Sequence, residues 1–169
     1  MPYQMKVDGM AEISEMLSRM EEQAPAVAAK ALYDGAGIMA AEVNRGAAGI
    51  KTESFKYSNL RSDNTRLPSP EEKEIVMAAA AGIAKFSKNG TEVDTSVGFQ
   101  NAGYAQLGKK MVPIPVVVNA INSGTSFMRK QPFVRRAATA ATPKALEAMR
   151  KRIEEEFEAI GRGYQSTQK

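Results

Sequence analysis

Residues 121–138 read INSGTSFMRKQPFVRRAA. Whether the chain ends in a strand, a loop or a helix turns on this stretch, and so does the kind of surface it builds. Gly124 permits a turn that a side chain would resist. Pro132 pushes the residue before it out of the helical region, so the chain reaches the proline extended. Phe133 is then placed to plug against a core while Arg135 and Arg136 project outward. The stretch reads as a semi-rigid joint leading into a helix. Arg129 and Lys130 lie beside Phe127 in the same joint. Nucleic-acid surfaces combine basic side chains with aromatic platforms. Protein interfaces favour arginine because its planar fork pairs with carboxylates. No helix-turn-helix, zinc finger or RNA-binding signature accompanies this cluster. The first reading is therefore a protein-contact joint that Phe127, Arg129, Phe133 and Arg135 shape or brace. The alternative is a nucleic-acid-binding module using residues 129–136, and incidental DNA contact fits either.

Downstream, Leu146, Met149, Ile153, Phe157 and Ile160 recur at helical intervals. They predict a C-terminal amphipathic helix starting at Thr142–Pro143. The end of the chain has no period, and 164–169 is expected to be a disordered tail.

Upstream, MVPIPVVVNAI (111–121) is rich in β-branched residues, and its prolines suit an edge strand. NAGYAQLGKK (101–110) reads as a turn or loop. TEVDTSVGF (91–99) alternates as a half-buried strand. SPEEKEIVMAAAAGIAKF begins with a capping box, Ser69 to Glu72, and has Pro70 at the first helical position. A helix over 70–86 is expected, with Val76, Ala79, Ile83 and Phe86 on one face. Residues 46–69 lack a sustained period and read as a long loop or flexible arm, with Phe55 and Tyr57 as candidate partner contacts. Before it, Ile13, Met16, Leu17 and Met20 form one helical stripe. Ala28, Leu32, Ala36, Met39 and Val43 form another on a helix beginning near Pro25. Gly35 and Gly37 interrupt the second stripe at about 1 kcal/mol each, which marks close packing or a bend.

The expected architecture is α+β. A small antiparallel sheet packs against a long N-terminal helix and a C-terminal amphipathic helix, in one domain spanning 1–163. With 169 residues, of which 43% are apolar, the chain can bury a sizeable core. Alanine and methionine supply much of it, since tryptophan is absent and aromatics are 7%. The 23 Lys and Arg against 19 Asp and Glu give +4, too mild to select DNA.

Composition also restricts the chemistry. Cysteine and histidine are absent, which removes disulfides, thiolate metal sites and the commonest general base. Glu154, Glu155 and Glu156 are neighbours on a helix, so they point apart and read as a solvated face. Ser123 and Ser126 sit in no nucleophile elbow. The SGTS and SKNG turns lack a phosphate-loop lysine. Glu92 and Asp94 are too few to hold a metal. No enzyme activity and no cofactor are expected. No apolar run reaches membrane-spanning length, so no membrane partner is expected either.

The stretch AINSGTSFMRKQPFVRRAA and the charged amphipathic helix after it resemble the C-terminal half of the HK97 gene-product-10-like phage proteins, small components of the head–tail connection. The turn Ser123–Gly124–Thr125–Ser126, the Pro132–Phe133 pair and the arginine at 135 or 136 carry the likeness. A short helix at Gly9–Leu17 and an alanine-rich helix at Pro25–Val43 also fit. GIKTESFKYSNLR replaces the family's usual segment after the second helix, and Asn122–Ser123 replaces an aromatic before the turn. The resemblance implies a neck or tail-completion protein of the virion, assembled in the host cytoplasm. It implies a homo-oligomeric ring contacting other phage neck, connector or tail proteins, with no catalytic residue.

Overall fold

The computed structural model describes residues 10–54, 65–89, 92–99 and 103–167. The fold is α+β, and the described residues form four helices and three two-stranded antiparallel sheets. Helix α1 runs Met10–Ala48 and α4 runs Phe133–Thr167. At 1.5 Å per residue these are rods of about 58 and 52 Å. They pack antiparallel: Lys30 meets Glu156, Asp34 meets Arg152, and Gly46 lies against Phe133.

Small residues make the seam. Val27, Ala31, Ala36, Ala40, Val43 and Ala47 are buried on α1, and Ala137, Ala141 and Ala145 on α4. A Cβ added at Gly35 would lie 2.6 Å from Met149 Sδ, so this glycine makes room for the methionine. Of the stripe expected on α1, Ala36 and Val43 are buried, while Ala28, Leu32 and Met39 are half-buried beside the buried Val27, Ala31 and Ala40. Nearer the N-terminus, Ile13 and Leu17 are 52% and 56% exposed.

Three expectations about these helices are corrected. Pro25 does not begin a second helix but lies inside α1. Pro143 likewise lies inside α4, which starts ten residues earlier than Pro143 itself. A proline leaves the carbonyl four residues before it without an intrahelical donor. Near Pro143, the hydroxyl of Thr142 donates to the Ala138 carbonyl at 2.7 Å and that of Thr139 to the Arg135 carbonyl at 3.1 Å. The buried alanines at 137, 141 and 145 carry the helix through the proline. At its far end α4 continues to Thr167, so residues 164–167 are helical and not a tail.

The segment between the rods also differs from expectation. Helix α2, Pro70–Ala79, has the expected capping box, with both reciprocal hydrogen bonds present. It stops seven residues short of Phe86. Ala80 turns to φ 43°, and Asn44 of α1 then pairs with both backbone groups of Ala81, at 2.7 and 3.0 Å. Ile83 lies instead in β1 (Ala81–Ile83), which pairs with β4 (Val97–Phe99). Further out, β2 (Ser87–Asn89) pairs with β3 (Glu92–Asp94). The expected single strand at 91–99 is thus two short strands, β3 and β4. Lys85 and Phe86 face the single residue Thr95, a bulge that shifts the register by one. Phe86 there stands 6.4 Å from the Tyr33 ring of α1.

Of the stretch read as a loop and a strand entrance, residues 104–113 form a hairpin. Strand β5 (Tyr104–Leu107) pairs with β6 (Lys110–Pro113) around Gly108, whose φ is 58°. The expected edge strand over 111–121 is mostly helix α3, Ile114–Ser123. Its buried residues Ile114, Val117, Val118 and Ile121 are spaced at helical intervals. They meet Ile75, Val76 and Ala79 of α2 and Val43, Ala47 and Ile50 around the end of α1. Ile121 and Val76 are fully enclosed. This core sits at the end of the α1–α4 pair where Phe133 enters, so it fixes the joint between α3 and α4.

Candidate partner-contact surface

The joint begins where α3 ends. Gly124 has φ 81° and ψ 168°, and its N–H donates to the Ala120 carbonyl at 2.9 Å. A Cβ there would lie 2.9 Å from Lys130 Cβ and 3.1 Å from the Met128 carbonyl. Glycine is required twice over, by the left-handed backbone and by the returning chain. Thr125 closes the turn: its N–H donates to the Met128 carbonyl at 2.9 Å, and its hydroxyl accepts from the Met128 N–H at 3.0 Å.

Residues 127–129 are then held as a strand on Arg66. The Arg66 N–H donates to the Phe127 carbonyl, and the Arg129 N–H to the Arg66 carbonyl, both at 2.9 Å. Met128 and Arg66 form an isolated parallel bridge. Alternation follows from that geometry. Met128 points into the core, whereas Phe127 is 56% exposed and Arg129 is exposed. Met128, and not Phe127, fills the core at this point.

Gln131 ties the joint to the exit of α1. Its side-chain amide donates to the Lys51 carbonyl at 2.7 Å, and its oxygen accepts from the Lys51 N–H at 2.9 Å. The Gln131 N–H donates to the Ile121 carbonyl at 2.8 Å. Pro132, half-buried, precedes Phe133, which is 5% exposed and meets Phe99 edge-on at 6.2 Å. Asn122 reaches across to accept from the Val134 N–H at 3.2 Å, capping α4 from the end of α3. Arg135 and Arg136 stand exposed on the first turn.

Beneath the joint lies an ion pair the sequence reading missed. Arg66 places two nitrogens on the two Glu72 oxygens, each at 2.7 Å. Glu72 is 5% exposed and also accepts from the Ser69 N–H at 2.7 Å. Burial pushes the Glu72 carboxyl upward. The Arg66 fork and the Ser69 N–H together outweigh it and hold the group below the ordinary glutamate range. The hydrogen bond to Glu72 raises Arg66 in turn. The only sequence signal was Glu72's capping-box position, which explains one of its partners. Its other partner comes from the loop at 65–69.

The cations of the joint have a different environment. Lys51, Arg129, Lys130, Arg135 and Arg136 form no ion pair among the described residues. Arg129, Lys130 and Arg136 converge with Lys51 on one recess of about 310 Å³, while Arg135 lies outside its lining. The structure therefore gathers Gly124, Phe127, Arg129, Pro132, Phe133, Arg135 and Arg136 at one end of the molecule. The other two candidates, Phe55 and Tyr57, lie outside the described residues.

Among the described residues no group of three or more acidic side chains could hold a metal ion, and no helix is long and apolar enough to cross a membrane. Glu154 and Glu155 are exposed on α4, as a solvated face requires, while Glu156 turns to Lys30 and Arg152. No family model, no curated protein and no solved structure matches this chain.

Proposed function

We propose that the protein is a structural component of a phage head–tail connection, of the neck or tail-completion kind, that joins the capsid connector to the tail. On this reading it works at the head–tail interface of the virion as a ring of identical copies, each touching its own kind and a neighbouring neck, connector or tail protein. It catalyses no reaction and needs no cofactor. The observation that carries the reading is the joint at 121–136. Its backbone is fastened on both sides while its arginines and Phe127 remain outward, the arrangement of a surface built to be covered. The likeness of the same residues to the HK97 gene-product-10-like joint supports the same conclusion. The long α1–α4 pair, with Ile13 and Leu17 exposed near one end, offers a second surface for a neighbouring copy.

The test is location and consequence. Mass spectrometry of purified tailed particles should find the protein, and Arg135→Ala should reduce tail attachment while leaving the isolated chain folded. Absence from particles, or normal attachment with Arg135→Ala, contradicts the proposal. A nucleic-acid-binding role is the second reading, favoured by the same unpaired cations. It requires DNA affinity that falls steeply with added salt.

A further inference from the structure

We propose that the recess formed by Lys51, Arg129, Lys130 and Arg136 is a socket for an acidic segment of a protein partner. The inference rests on reading the joint as a protein-contact surface and gives that surface its chemistry. Four of the described residues that line the hollow are cationic and none is acidic. The other three, Gly49, Leu67 and Gln131, leave a small, partly apolar floor. Like charges brought together repel, so folding alone gives no reason to gather them without a counter-charge.

Their placement is not left to side-chain chance. Gln131 holds the Lys51 backbone at both its N–H and its carbonyl, and the bridge to Arg66 holds the Arg129 backbone. Lys51 and Arg129 are therefore mounted on fixed backbone, which lowers the ordering cost of binding. Arginine's planar fork matches a carboxylate, and lysine supplies a point charge beside it.

The hollow's size and shape favour a peptide over a nucleic acid. Duplex DNA gains by laying many phosphates along an extended basic surface. Here the cations meet in a volume of about 310 Å³, enough for one or two carboxylate side chains. Among the described residues lining it there is no aromatic ring on which a base could stack.

Fluorescence anisotropy of the full chain with a labelled glutamate-rich peptide tests this. A labelled single-stranded oligonucleotide of equal charge and a short duplex are the comparison arms. The peptide should bind, more tightly than either nucleic acid, and weaken as salt rises. Arg136→Gln and Arg129→Gln should each weaken it about tenfold, the loss of one charge-assisted hydrogen bond. Arg135→Gln, outside the recess, should change it by less than about twofold. Circular dichroism and melting confirm that each variant is folded. Absence of peptide binding overturns the socket, as do tighter binding of either nucleic acid and an equal loss with Arg135→Gln. Absence of the protein from phage particles would sink the connector reading alone, because peptide binding to the isolated chain does not depend on it.

Discussion

The seam between α1 and α4 and the joint between α3 and α4 use charge in opposite ways. Along the seam, cations meet carboxylates: Lys30 with Glu156 at 2.6 Å, and Arg152 with Asp34 at 2.6 Å. The hydrogen bond and charge of Asp34 raise the Arg152 pKa further. At the joint, five cations stand without an ion pair among the described residues, on a backbone pinned by Arg66 and Gln131. Small side chains close the seam, and Met128 and Phe133 close the joint from beneath. The contrast separates two tasks. Paired charges and alanines hold this chain to itself, while unpaired charges on a fixed frame are free for another molecule.

The buried pair beneath the joint is where the contrast should break most visibly. Arg66→Ala leaves Glu72 enclosed without its cation, at a cost of about 3–5 kcal/mol in urea unfolding at neutral pH. The strand contact at 127–129 should loosen with it, read as faster amide exchange. The pH dependence follows from the depressed Glu72 carboxyl. A group whose folded pKa lies below its unfolded value stabilises above the unfolded value, about 4.3 for glutamate. That contribution is lost as pH falls through the folded pKa. The gap between wild type and Arg66→Ala should therefore narrow below about pH 4.3, because protonation ends the penalty of a lone buried charge. A gap that widens in acid would contradict this account.

A smaller effect sharpens the seam side. Gly37 has open space where a Cβ would go, whereas Gly35 faces Met149. Gly37→Ala should stabilise the chain by about 1 kcal/mol through helix propensity alone. Gly35→Ala gains the same propensity but must displace the Met149 thioether, so it should fall short of Gly37→Ala. Thermal melts of the two variants, compared directly, check the order. Equal gains would mean that the seam is not close-packed at Met149.

The legible parts of the fold are those whose signals are local. The Ser69–Glu72 box announced the start of α2, and the periodic residues from Leu146 onward announced α4. Helix α3 was misread because Val116, Val117 and Val118 weigh toward a strand, although Ile114, Val117, Val118 and Ile121 carry the helical interval. Pro25 and Pro143 read as helix starts in the sequence because a first-turn proline and an interior proline look alike locally. Of the joint, Gly124, Pro132 and the outward arginines could be read, because backbone restriction is written in residue type. Asn44, Gln131 and Asn122 could not, since their partners at Ala81, Lys51 and Val134 lie far off in sequence. Met128 and Phe127 are adjacent apolar residues in sequence, yet Met128 is buried and Phe127 exposed. Only the bridge to Arg66, distant in sequence, decides which of the two faces inward.

The central claim is that the joint's cations serve binding and not the fold. The most direct measurement is the urea-unfolding free energy of a triple variant, Arg129→Gln with Lys130→Gln and Arg136→Gln, against wild type at low salt. Exposed charges without partners contribute within about 0.5 kcal/mol each, and relieving their repulsion is favourable. The account expects stability equal to wild type or slightly higher. A loss of about 2 kcal/mol or more, well outside that range, would show that these side chains hold the molecule together and would contradict it.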